Sequence, residues 1–251
     1  MLRLNKSYML NINATYADEV YALIDYIYQE IGARRFVFFY QNDAYGIGPR
    51  DAAHKALKAH GVTEWTDVPY SRASTNLSEQ AQKIDAAQPD AIGLFSTAQP
   101  TQELIRQLGI TSVANKTLFG ISPLTAGSFA EFRKQHGLKV ILGAVTPNPR
   151  TSQIELIQEY RQEMDKNNRD YDEYSLEAYI NMSLIIETIK QLDEPITKEK
   201  ILAKMRSFEN INLQGLTFGY NPLRNDLTRH VYIETGPTTN WIQSDVNREQ
   251  L

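Results

Sequence analysis

Apolar runs without polar alternation take turns with helix-period stretches through residues 15–146. Over residues 15–32, Val20, Leu23, Ile24, Ile27 and Ile31 recur at helical spacing, Thr15 and Asp18 form a capping pair, and Gly32 supplies the stop. FVFFY at residues 36–40 follows with no polar position, which predicts a strand buried on both faces of a parallel sheet. Residues 50–60 are next predicted helical, ending at Gly61 in a left-handed stop. Residues 63–70 predict a strand, 76–87 a helix and 90–96 an apolar strand; a helix from Pro100 to Leu108 closes at Gly109. Two further strands, 117–122 and 140–146, flank a short helix near 126–136. Strand and helix at these lengths predict βαβ units, hence a doubly wound parallel α/β sheet whose ligands gather at the strand carboxyl ends.

TPNPRTS at residues 146–152 interrupts the rhythm with two prolines and predicts a crossover linker. Two long helices follow, near 152–166 and 175–192. Ile154, Ile157, Tyr160 and Met164 give the first an apolar face, and Leu176, Ile180, Ser183 and Ile186 the second. A third helix near 198–206 leads to a hairpin-like end, with LTFGY and HVYIET on either side of NPLRND. The polar tail from Ser244 onward is expected to fray.

A chain of 251 residues with 42% hydrophobic and 22% charged positions can bury a substantial core. Its net charge of -4 gives no electrostatic basis for nucleic-acid binding or for an anionic membrane surface. With no cysteine, disulfides, thiolate nucleophiles and Cys-ligated zinc are excluded. No apolar run reaches the roughly 20 residues that span a bilayer. The first segment carries a positive charge but no uninterrupted apolar region, so the chain as given shows no export signal: it works in the cytoplasm, or its true beginning has been cut away.

Candidate chemistry centres on QNDAYGIG, after the first strand. Gly46 and Gly48 precede a helix, but a dinucleotide fingerprint wants a third glycine where Asp51 stands, and a negative charge there opposes a pyrophosphate. His54, His60, His136 and His230 are scattered, without metal-ligand spacing, so no metal or other cofactor is expected. No GxSxG elbow is present, although Ser96 and Ser122 stand at strand carboxyl ends; catalysis is not expected. Most of the tyrosines suit packing. Tyr45 differs, because a ring with a polar tip at a strand's carboxyl end suits the wall of a pocket.

YMLNINATYADEVYALIDYI, RRFVFFYQNDAYGIG, AQKIDAAQPDAIGLFS, ELIRQLGI, GIS and EAYINMSLIIETI together resemble the type I periplasmic solute-binding proteins, the branched-chain amino acid receptor group of ABC transporters. The YQNDAYG turn and the Pro-Asp-Ala-Ile strand entry are the most specific pieces. The resemblance implies two α/β lobes joined by three crossovers, here at residues 13–16, 145–149 and 233–237, closing by a hinge on a solute in the interlobe cleft. One complete doubly wound lobe would comprise residues 15–146 plus 234–251; a partial lobe would comprise 1–14 plus 147–233. Because members carry most of the first lobe's sheet ahead of the match, the chain is expected to be a fragment or to form a homo-oligomer that buries the incomplete lobe.

By the same resemblance, Tyr45 is the cleft tyrosine, Thr97 stands where a second aromatic is usual, and Tyr174 falls near an aromatic contact from the other lobe. Ser122 occupies the position of the acid that pairs with an amino acid's ammonium. The resemblance implies a small-molecule solute (an amino acid, amide or carboxylate), an ABC permease as partner and a periplasmic location. Replacing that acid by serine would leave an ammonium unpaired at a cost of several kcal/mol, so a ligand without a free α-ammonium is expected unless Asp43 or another acid compensates. A ligand-sensing module with a signalling partner is the alternative on the same fold, and an enzyme built on the doubly wound lobe is a third reading.

Overall fold

The computed structural model describes residues 8–236 and 241–245. Most of the tail expected to fray, and the end of the crossover at 233–237, fall outside these residues. The helices are α1 (Tyr16–Tyr26), α2 (Ala44–Ala59), α3 (Ser78–Ala87), α4 (Ala98–Leu108), α5 (Ile110–Val113), α6 (Gly127–His136), α7 (Glu155–Lys166), α8 (Glu173–Lys190) and α9 (Lys198–Arg206). The strands are β1 (Phe36–Gln41), β2 (Thr66–Tyr70), β3 (Ala91–Phe95), β4 (Thr117–Gly120), β5 (Val140–Ala144), β6 (Ile211–Leu213), β7 (Leu216–Phe218), β8 (His230–Glu234) and β9 (Ile242–Asp245). A π-helical turn, Ile27–Ile31, extends α1 to Gly32, whose φ of 78° provides the left-handed stop. The chain divides into two compact units. One holds Tyr16–Ala144 with the described residues from Val231 on, the other the described residues up to Thr15 with Val145–His230.

In the first unit the sheet order is β2-β1-β3-β4-β5-β8-β9, parallel from β2 through β5, with β8 antiparallel to β5. This is the doubly wound α/β sheet expected from the strand-helix alternation: a mixed layer dominated by parallel strands. All six residues of β1 are buried, as an apolar run in a central strand requires. Its alternate side chains enter two cores. Val37 and Phe39 join Ile92, Leu94, Leu104 and Phe129, whereas Phe38 stacks on Phe95, 5.7 Å between centroids, and meets Phe119 edge-on at 6.4 Å. Gly93, opposite both Phe38 and Phe119 in register, makes room for them; a Cβ there would lie 2.8 Å from Phe38 Cδ1.

The second unit packs α7, α8 and α9 around Ile157, Tyr160, Leu176, Ile180, Leu184 and Phe218. The buried face of α8 runs Leu176, Ile180, Leu184, Thr188, and Ile186, expected inside, is exposed. At about 100° per residue each step of four turns the buried face roughly 40° round the helix, toward Leu184 and Thr188, whereas the steps of three to Ser183 and Ile186 turn the opposite way. The expected terminal hairpin does not form. LTF pairs instead with INL across Gln214-Gly215, both at positive φ, a two-residue turn suited to a tight hairpin. HVYIE, buried from Val231 to Glu234, pairs with β5.

Candidate ligand site at the strand carboxyl ends

The strand order reverses direction at β1: β2 lies on one side of it and β3 on the other. Loops leaving β1 and β3 therefore diverge to opposite faces, the position at which open α/β sheets hold their ligands. Gln41 ends β1 and Asp43 caps α2, its Oδ1 accepting from the Tyr45 amide at 2.9 Å and its Oδ2 from the Gln41 side-chain amide at 2.6 Å. Partial burial works against this carboxylate, but the hydrogen bonds from Tyr45 and Gln41, with the charge of Arg72, outweigh it and hold its pKa below the usual value.

Tyr45 is therefore not in a loop but in the first turn of α2, which begins six residues earlier than the expected start at 50. Gly46 makes this early start possible: a Cβ there would lie 2.3 Å from the Gln41 carbonyl oxygen, so only glycine lets the helix start fold back on the strand end. The pair of glycines that resembles a phosphate loop thus has a packing cause at Gly46, while Gly48 faces open space. The Tyr45 ring is half-buried and meets Tyr16 edge-on, centroids 5.9 Å apart.

Behind this rim runs a buried polar chain. Ser96 Oγ and Tyr70 Oη lie 2.7 Å apart, and Tyr70 Oη donates to Gln41 Oε1 at 3.3 Å, linking the ends of β3, β2 and β1. Burial pushes the Tyr70 phenol pKa up, against the hydrogen bonds that favour its ionised form. Thr97, exposed, begins α4 beside Ser96.

Ser122 follows β4 and opens the 3-10 turn Ser122–Leu124. Its amide donates to Glu19 Oε2 at 2.6 Å and its hydroxyl lies 2.9 Å from Glu19 Oε1. Glu19, on α1, is 0% exposed. The Glu19 carboxylate thus stands against Ser122, a contact that sequence reasoning missed; the available signal was an Asp18-Glu19 pair in the first turn of a helix with an otherwise apolar face.

Asp43 and Tyr45, Thr97, and Ser122 thus stand after three neighbouring strands, β1, β3 and β4, at one edge of one sheet. With strands spaced about 4.8 Å apart, the outer two are roughly 10 Å from each other, the span of a small solute. Tyr174 belongs to the other unit, in the first turn of α8, which Asp172 caps through the amides of Tyr174 and Ser175. A concavity of about 780 Å³ lies at the opposite edge of the sheet, near Arg35 and Trp65 at the amino ends of β1 and β2. Among the described residues, no helix is long and apolar enough to cross a membrane, and no cluster of acidic and histidine side chains suits a metal.

The family model described as periplasmic binding protein matches residues 3–233. The fold is similar to that of a possible leucine/isoleucine/valine-binding protein from Rhodopirellula baltica, 20% identical with a TM-score of 0.83, which covers 95% of this chain and 66% of that one. A substrate-binding periplasmic protein from Ralstonia solanacearum is 22% identical with a TM-score of 0.80, covering 96% and 69%. A fatty acid ABC transporter substrate-binding protein from Thermomonospora curvata is 14% identical with a TM-score of 0.77, covering 99% and 67%. At these identities the likeness shows the fold, and the chain spans about two thirds of the length of those proteins. No curated protein matches the chain.

Proposed function

The chain belongs to the periplasmic binding protein family, and from that premise we propose that it binds a small polar solute at the carboxyl-end rim of its parallel sheet, as the extracytoplasmic receptor of an ABC importer. The observation that carries this reading is the placement of Asp43-Tyr45 and Ser96-Thr97 on either side of the strand-order reversal, with Ser122 one strand further on. A half-buried aromatic ring supplies an apolar wall there, and hydroxyls supply hydrogen bonds, a composition suited to solute binding.

Binding without turnover fits the state of those hydroxyls. Ser96 pairs with Tyr70 and Ser122 with Glu19, and neither leans on an imidazole that would make it a nucleophile. Two of the four histidines have other work: His54 contacts Asp67 at 2.9 Å and stacks on Trp65, and His60 contacts Asp25 at 2.6 Å and stacks on Tyr28. Family members serve solute binding, and the permease partner and periplasmic location follow as parts of the same proposal.

Titration calorimetry of the 251-residue chain with leucine, leucinamide and 4-methylvalerate tests the reading. At least one should bind with a Kd of about 100 μM or tighter, and Tyr45→Ala should weaken that binding about tenfold or more. Absence of binding by all of these probes, or binding indifferent to Tyr45→Ala, would overturn the site.

A further inference from the structure

At the amino ends of β1 and β2 the sheet opens. The ladder between these strands begins at Val37 and Thr66, and the chain before Thr66 diverges from Phe36 and Arg35 to leave the concavity of about 780 Å³. That volume is in the range that holds a small molecule. β1 is six residues long, which puts the concavity roughly 20 Å from the rim at the other edge of the sheet. It is a different place from the proposed solute site.

The aromatic wall is fixed before anything binds. Trp65, half-buried, stacks on His54 with centroids 4.4 Å apart, and His54 is held in turn by Asp67 at 2.9 Å. Lys58 Nζ lies 5.9 Å from the centre of the same indole. His54 and Lys58 stand one turn apart on α2, so both approach the ring from that helix and leave its other face to the concavity. Val62 and Ala87, also half-buried, add apolar surface beside it.

Two exposed arginines form the polar wall. Arg34 Cζ lies 4.0 Å from the centre of the Tyr28 ring, and its Nη1 donates to the carbonyls of Tyr28 and Ala33. Arg35 donates through Nε and Nη2 to Asp90 Oδ1. Among the described residues, Arg34 Nη2 and Arg35 Nη1 have no hydrogen-bond partner. Each guanidinium is anchored by part of its fork and keeps unspent donors on the rest, so an anion can engage it with little further loss of side-chain freedom. Asp90 and the exposed Glu64 offset two of the three positive charges of Arg34, Arg35 and Lys58 and leave one.

We propose that this concavity is a second ligand site, which takes an aromatic monoanion: a flat ring lies on the open face of Trp65, and a single carboxylate engages the spare donors of Arg34 and Arg35. The ring supplies apolar burial that an inorganic anion cannot, and one residual positive charge matches one carboxylate better than two.

Calorimetric titration of the 251-residue chain with 2-naphthoate and with its neutral isostere 2-naphthamide tests the site. 2-Naphthoate should bind with a Kd of about 1 mM or tighter, and at least about fivefold more tightly than the amide. Arg34→Gln removes one set of donors, so it should weaken 2-naphthoate about fivefold or more and leave 2-naphthamide within about twofold. Trp65→Leu should weaken both probes, and it keeps the test in force if Arg34→Gln loses its native circular dichroism. Absence of 2-naphthoate binding, equal binding of acid and amide, or binding indifferent to the folded variants would overturn the second site, and none of these results bears on the rim.

Discussion

Arg133 on α6 reaches Glu234 on β8, with Nη1 donating to Oε1 at 3.0 Å, although the two residues are 101 positions apart. Their side chains are only 10% and 2% exposed. Truncating one partner takes a close counter-charge from the other in the interior. Arg133→Met is therefore expected to cost about 3–5 kcal/mol, and the double replacement Arg133→Met with Glu234→Met to cost much less. Urea denaturation of the single and double variants checks this; equal losses would show that the pair is not coupled.

Gly46 and Gly48 should respond in opposite directions to alanine. At Gly46 the new Cβ meets backbone at 2.3 Å, and the strand end cannot yield, so Gly46→Ala is expected to lose about 3 kcal/mol or more. At Gly48, inside α2 with nothing within 4 Å, alanine should add about 0.5–1 kcal/mol. Thermal denaturation of the two variants reads the contrast directly.

Asp90 gives the first unit an acid-sensitive joint. The Arg35 guanidinium holds its carboxyl below the ordinary value of 3.8, the amides of Arg34 and Arg35 adding to that effect against a smaller opposing influence of burial. A depressed folded-state pKa contributes stability that is complete above the unfolded value and is lost as pH falls through the folded one. Stability measured downward from pH 5 should thus decline, with a shallower decline in Asp90→Asn. Because the pair is exposed, the difference should be small and should shrink in high salt.

Tyr70→Phe removes the hydroxyl that joins Ser96 to Gln41. A loss of about 0.5–1.5 kcal/mol is expected, together with weaker solute binding, because Gln41 also braces Asp43 under Tyr45. Denaturation and calorimetry on the same variant measure the two effects. In the wild type, Tyr70 should ionise above the ordinary 10.0, owing chiefly to burial.

Much of the architecture was legible locally. The unbroken runs FVFFY and AIGLF became central strands because only a strand covered on both faces tolerates them, and Gly61 ended its helix at a φ of 75° as a left-handed stop. Boundaries were less legible. α2 starts at Ala44 because Gly46 allows close approach to Gln41, an atomic distance that spacing along the chain does not encode. The Gln214-Gly215 turn was a local signal that the stronger-looking NPLRND obscured.

The sequence by itself determined the strands β1 to β5 and the longer helices, since burial on two faces or one is written into each segment's own period, but not the short β6 or α5. It also placed Tyr45, Thr97 and Ser122 after strands. Only the tertiary structure decided which partners these elements take: that HVYIE pairs with β5, that Arg133 meets Glu234, and that Glu19 stands behind Ser122. Those contacts join positions about a hundred residues apart. Their energies depend on distance and burial in space, quantities that no local pattern carries.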